Sequence, residues 1–223
     1  MSQALDRTAA THERSSTLAG SMTSRFSDDL GRDGFSWVVE EPMTRTSHAL
    51  AASGKVWLVD PVDWPEAVER ACSLGEPAAV LQLLDRHNRD SAAIAERLGV
   101  PHLTVPRALP ETPFEVVEIK RSRHWQEIAL WWPERRTLVV AEALGTNEFF
   151  PTGDDPVGVH GLLKLTPPRV LGAYEPEHLL VGHGEGVHGQ YATVALQRAL
   201  ERSRLSFFSW GLSLPRRLMR KPA

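Results

Sequence analysis

Residues able to do chemistry gather at a few places in this chain. The segment Arg86-His87-Asn88-Arg89-Asp90-Ser91 holds imidazole, carboxylate and guanidinium groups within six positions. Glu142 follows the apolar run Thr137 to Ala141, and His183 lies between Gly182 and Gly184. Carboxylate and imidazole are ligands for transition ions, whereas guanidinium only donates hydrogen bonds and pairs with anions. Metal binding and ion pairing are therefore both open. Each residue also has a plainer role. Asp90 is placed to cap a helix starting at Ser91. Glu142 can pair with an arginine, and a loop histidine such as His183 is often structural. Ser91 has no nearby base, which argues against a serine nucleophile. Gly182, Gly184 and Gly186 form no nucleotide fingerprint, because no βα unit precedes them.

Bulk properties narrow the classes. The 223 residues suit one mid-sized domain with or without tails. A hydrophobic share of 42% and a charged share of 24% are those of a soluble globular protein. A net charge of -3 gives no reason to expect nucleic acid or membrane as a partner. Cys72 is the single cysteine, so neither an internal disulfide nor a cysteine zinc cluster can form. The chain shows no secretory-type apolar stretch at its start and no run near the ~18 residues of a membrane span. A cytoplasmic location is expected.

The elements that would position these groups follow from periodicity. Residues 1–33 are rich in Ser, Thr, Arg and Asp and are expected to form a disordered tail. Strands are expected at Phe35 to Val39, Ser47 to Ala51, Lys55 to Asp60 and Ala78 to Leu84, the third apolar enough for burial on both faces. Asp63 is a candidate N-cap ahead of Pro65, with Ala67, Val68, Ala71 and Cys72 on the inner face and Gly75 as the stop. A second helix should run from Ser91 to Leu98, stopped by Gly99 and Pro101, with a short strand between Val100 and Val105. Phe114 to Lys120, Glu127 to Trp132 and Thr137 to Ala141 read as strands, Pro133 to Arg136 as a turn. A helical stretch is expected over Val159 to Leu171, broken at Pro167-Pro168. Leu179 to Val181 is a brief strand, and Gly189 to Arg204 an amphipathic helix with Val194, Leu196, Ala199 and Leu200 inside. His160, His178 and His188 are expected at the surface. Trp125, Trp131 and Trp132 are expected in or beside the core.

In this order the segments resemble the metallo-β-lactamase-fold superfamily. The strand ending at Asp60 resembles its early buried strand. Ala78 to Pro101 resembles the region of its His-x-His-x-Asp-His motif, Ile128 to Thr146 its central hairpin, and Leu179 to Gly184 its late Pro-Gly-His-Gly element. The resemblance implies an α/β (α+β) fold, a four-layer αββα sandwich over residues 34–206, followed by an apolar and basic extension at 207–223. It also implies a metal site at the sandwich edge, where two ions would activate water for hydrolysis.

Carried over residue by residue, with Asp90 set on the motif aspartate, the resemblance puts Arg86, Asn88 and Ser91 at former histidine positions. Arg123 stands at the next one. His87 falls between matched positions. Glu142 replaces the bridging aspartate, and His183 matches the last histidine. The first metal position is overwritten, while Asp90, Glu142 and His183 leave a partial second one. The leading expectation is a chain without metal, a non-catalytic binding or regulatory module in which Arg86 and Arg123 pair with Asp90 and Glu142. The alternative is a mononuclear hydrolase of an ester, thioester or phosphoester, holding one Zn, Fe or Mn ion. A third reading makes Arg86, Arg89 and Arg123 an anion site. The partner is an unknown small molecule or protein. A homodimer is conceivable through Gly189 to Arg204 or the C-terminal extension.

Overall fold

The computed structural model describes residues 23–41, 43–151 and 153–207. Its first sheet has six strands in sequential order: β1 (Ser24–Asp29), β2 (Gly34–Val39), β3 (Arg45–Ala52), β4 (Lys55–Val59), β5 (Glu76–Gln82) and β6 (His102–Thr104). The pairings are antiparallel through β4 and parallel from β4 to β6. Such parallel steps need crossovers. Helices α1 (Pro65–Leu74) and α2 (Ser91–Leu98) supply them. The strands β7 (Glu115–Ser122), β8 (Trp125–Trp132), β9 (Thr137–Val140), β12 (His178–Val181) and β13 (Val187–His188) form the second sheet in the order β13-β12-β9-β8-β7. A small ladder of β10 (Leu144–Gly145) and β11 (Gly158–Val159) stands apart, and helix α3 (Gln190–Arg202) closes the chain.

Two apolar clusters stack these elements in four layers. One joins the inner face of the first sheet, through Leu50, Trp57, Val59 and Leu81, to Leu130, Val139 and Leu180 of the second sheet and on to Leu196 of α3. The other joins alternate residues of the first sheet, Ala49, Val56, Leu58 and Val80, to Ala67, Val68 and Ala71 of α1 and Ile94 of α2. Successive strand residues point to opposite faces, so a strand between the two clusters is buried on both, as read from the apolar run of β4. The architecture is the expected αββα sandwich. No helix among the described residues is long and apolar enough to cross a membrane.

Several expectations are corrected. The expected tail includes a strand, because β1 pairs with β2 from Ser24 onward. Its one large apolar residue, Phe26, packs on Phe35 and Trp64 and lies under the guanidinium of Arg70. The helical stretch after Val159 is two 3-10 turns, Gly161–Leu163 and Arg169–Ala173, on either side of the prolines. Helix α1 starts after Trp64 rather than Asp63, whose carboxylate is clamped by Arg97 at 2.6 and 2.7 Å. On α3 the inner stripe is Ala192, Ala195, Leu196, Ala199 and Leu200, and Val194 is more than half exposed. Residues 1–22, and the C-terminal extension beyond Phe207, lie outside the described residues.

Candidate metal centre

The C-terminal ends of parallel strands meet at one edge of the sandwich. Strand β4 runs into Asp60, the β5–α2 loop carries His87, β9 leads to Glu142, and β12 leads to His183. Close packing at this edge depends on two glycines. A Cβ on Gly182 would fall 2.2 Å from the Ala141 carbonyl oxygen, and one on Gly184 would fall 2.1 Å from Thr146 Oγ1. Gly184 also has φ +100°, a conformation that costs side-chain-bearing residues energy. Glycine on both sides therefore lets His183 approach the loop that bears Glu142.

Glu142 is the hub. Its Oε2 lies 2.8 Å from His87 Nε2 and 3.1 Å from His183 Nε2, and its Oε1 lies 3.3 Å from His160 Nε2. The hydrogen bonds on the other ring nitrogens sort these imidazoles. His183 Nδ1 faces the Met43 carbonyl at 2.8 Å, which can only accept, so Nδ1 carries the proton. His87 Nδ1 faces the Asp60 carboxylate at 3.1 Å and donates likewise. In their neutral forms both therefore turn a bare Nε2 lone pair toward Glu142. His160 is opposite. Its Nδ1 accepts the Leu162 N–H at 3.3 Å, so its Nε2–H donates to Glu142. His87 and His183 are thus shaped as ligands, and His160 as a support for the carboxylate.

Two lone pairs converging on a carboxylate oxygen call for a cation, either a proton or a metal ion. The donor set fits a metal. Ligand atoms of His87, Glu142 and His183 lie within 4.8 Å of one another. Tetrahedral ligands at zinc distances stand about 3.3 Å apart, so the two contacts of Glu142, at 2.8 and 3.1 Å, would open by a few tenths of an ångström. The carboxylate and carbonyl behind the two rings are the partners that orient metal-bound imidazoles. A proton is the competitor. Burial and the Arg89 cation push the His87 pKa down, but Asp60 and Glu142 outweigh them and raise it. Burial works against the charge on Glu142, yet its bonds to His183 and His87 hold it far below the usual carboxylate range. Burial keeps His160 below the ordinary histidine value, in line with a neutral donor.

A second layer fixes the hub. The buried carboxylate of Glu127 accepts the backbone N–H of Glu142 at 2.7 Å, that of Ala143 at 2.8 Å and the Trp125 indole N–H at 2.7 Å. Burial raises its pKa to about 7. Buried Asp60 accepts the Leu83 N–H at 3.0 Å. Burial opposes its ionisation too, but His87 and Arg89 keep it below the usual range. Phe150 stacks on His183 and meets His160 edge-on, and Trp125 meets His160 on another side. These rings make an apolar wall.

The other residues of the sequence reading are placed elsewhere. Asp90 stands outside the histidine–glutamate group. Its Oδ2 accepts the Asp63 N–H at 2.8 Å, and it makes no side-chain cap to α2. Asn88 is exposed and accepts from Gln82 at 3.3 Å. Ser91 is buried, with no partner for its hydroxyl among the described residues. Arg86 is exposed, lies 4.2 Å from the Trp125 ring centroid, and donates to the His124 carbonyl. Arg123 is exposed in the β7–β8 turn. The expected pairing of Arg86 or Arg123 with Asp90 or Glu142 is therefore corrected, for the ion-pair partners of Glu142 are His87, His160 and His183. Arg89 is the arginine that turns inward. Its guanidinium donates to the carbonyls of Thr46, Asp60 (2.7 Å) and Gly182 (3.0 Å). Of the three arginines read as an anion site, Arg89 gives its two terminal nitrogens to backbone carbonyls, while Arg86 and Arg123 are exposed.

Solved structures with the same arrangement decide what kind of scaffold this is. The metallo-β-lactamase DIM-1 superimposes with a TM-score of 0.54 at 12% identity, over 83% of this chain and 97% of that one. TMB-1 gives 0.54 at 10% identity, over 84% and 98%. VMB-1 gives 0.56 at 10% identity, over 86% and 100%. This chain has the metallo-β-lactamase fold. No protein-family model matches the sequence, and no curated protein matches it. The likeness is thus one of architecture. Within its metallo-β-lactamase fold this edge carries a His–Glu–His group, a supporting histidine, and a partly buried arginine beside them.

Proposed function

We propose that this protein holds one divalent transition ion between His87 Nε2, Glu142 and His183 Nε2 and acts as a single-metal hydrolase of an ester, thioester or phosphoester. The observation that carries this reading is the pair of imidazole Nε2 atoms held against one carboxylate by Asp60 and the Met43 carbonyl on their Nδ1 sides. Two histidines and a glutamate form a ligand set used by catalytic zinc sites, which keep a further position open. A bound ion would polarise a substrate oxygen and lower the pKa of water.

The chain's own groups then have defined tasks. Asp60 and the Met43 carbonyl hold the two rings in the ligand tautomer. His160 and Glu127 hold Glu142, one through its carboxylate and one through its backbone. Trp125 and Phe150 keep water from one side of the group. Arg89 brings a permanent positive charge next to Asp60, which favours a single ion over two.

A second reading rests on the hydrogen-bond length of the contacts. A proton on His87 Nε2 would satisfy Glu142 without metal and leave a binding module. Elemental analysis separates the two, after expression with Zn, Fe and Mn supplied. The hydrolase reading expects retained metal that falls by one ion per chain in His183→Ala, together with loss of any ester or phosphoester turnover. Metal content unchanged by His183→Ala would refute it.

A further inference from the structure

A second pair of histidines lies away from this centre. His178 of β12 and His188 of β13 sit directly opposite each other across an antiparallel ladder at the edge of the second sheet. Cross-strand partners share one face. Their Nδ1 atoms are 2.9 Å apart, with ring centroids at 5.2 Å. Both rings reach solvent in part.

The other nitrogen of His188 is committed. Its Nε2 lies 2.9 Å from Asp28 Oδ1, an oxygen that also accepts the Gly186 N–H at 2.9 Å. The carboxylate can only accept, so Nε2 bears the proton and Nδ1 of the neutral ring is a bare lone pair aimed at His178. The approach is a built one. Asp28 is buried, with a side chain 4% exposed. A Cβ on Gly186 would stand 3.0 Å from Asp28 Oδ1 and 3.1 Å from His188 Cε1, so a larger residue would crowd both. A carboxylate behind an imidazole whose far nitrogen points outward is the support that histidine ligands carry.

We infer that His178 Nδ1 and His188 Nδ1 form a second, surface site for a divalent late transition ion such as Zn²⁺, with Asp28 orienting His188. Imidazole pairs favour Zn, Ni and Cu over Mg or Ca. On binding, the Nδ1 proton of neutral His178 moves to its Nε2, so both Nδ1 lone pairs become available with no net change in charge on the protein. Because Asp28 belongs to β1 of the first sheet and the histidines to the second, the His188–Asp28 bond that orients the ligand also joins the two sheets.

The test is a Zn²⁺ titration of the full, metal-stripped chain by calorimetry. The proposal expects two ions per chain in the wild type and one in His178→Ala. His188→Gln, which keeps a donor for Asp28 and removes the Nδ1 lone pair, should lose the same ion. His183→Ala should keep it and lose the other. If His178→Ala or His188→Gln binds as many ions as wild type, with affinity changed less than tenfold, the second site does not exist. Failure of the His87–Glu142–His183 reading looks different: Zn²⁺ binding then survives His183→Ala unchanged but still drops in His178→Ala.

Discussion

His87 and Arg89 are two residues apart and treat positive charge in opposite ways. His87 turns its Nε2 toward Glu142, held by Asp60 behind it. Arg89 fills its own side of the same edge with a guanidinium already bonded to three backbone carbonyls. One side of the centre needs a cation from outside. The other carries one in its sequence. The loop thus builds half of its charge balance permanently and leaves half to a proton or an ion.

The contrast predicts unequal costs of removal. Arg89→Ala strips donors from the carbonyls of Thr46, Asp60 and Gly182 and leaves buried Asp60 without its neighbouring cation. The expected loss is about 3–5 kcal/mol, read from urea unfolding, because breaking a buried charged network strands its partners. Next comes the buried histidine beneath the same edge. His48 is 1% exposed and bonded to Ser36 at 2.8 Å, and burial lowers its pKa to about 4. Its folded value is below its unfolded one, so protons bind the unfolded chain first as pH falls. His48's own contribution to stability should drop by about 3 kcal/mol between pH 6.5 and pH 4, opposed over the same window by Glu127 with its raised pKa, so it is read as the difference between wild type and His48→Gln. His48→Gln, which cannot titrate, should flatten that slope, and an unchanged slope would assign it elsewhere.

Smaller effects mark the periphery. Phe26→Ala should cost about 1–2 kcal/mol, since a half-buried ring loses its packing on Phe35 and Trp64; melting temperature reports it. Arg86→Ala should cost no more than about 1 kcal/mol, the size of an exposed cation–π contact. Equal losses for Arg86→Ala and Arg89→Ala would erase the distinction between the two arginines.

The sandwich was legible in the sequence because β4 and the central residues of β5 form apolar runs and because Gly75, Gly99 and Pro101 mark helix ends. Strand β1 was not legible, since a single phenylalanine among Ser, Arg and Asp gives no period. Glu142 and His183 could be picked out by their places after buried strands. His87 was passed over for Asp90 because a linear register assumes a regular loop. Arg89 has φ +41°, a left-handed turn that breaks that register and sends its guanidinium inward. His160 read as a surface residue, because nothing local announces that β11 leads it to Glu142. Such contacts between distant segments leave no spacing to read.

The most direct measurement is the ion-to-chain ratio of metal-stripped His178→Ala protein reloaded with Zn²⁺, beside the same protein carrying Glu142→Ala as well. One ion in the first and none in the second is the predicted result. An equal ratio in the two proteins, or two ions in the first, would contradict a single-ion centre built on His87, Glu142 and His183.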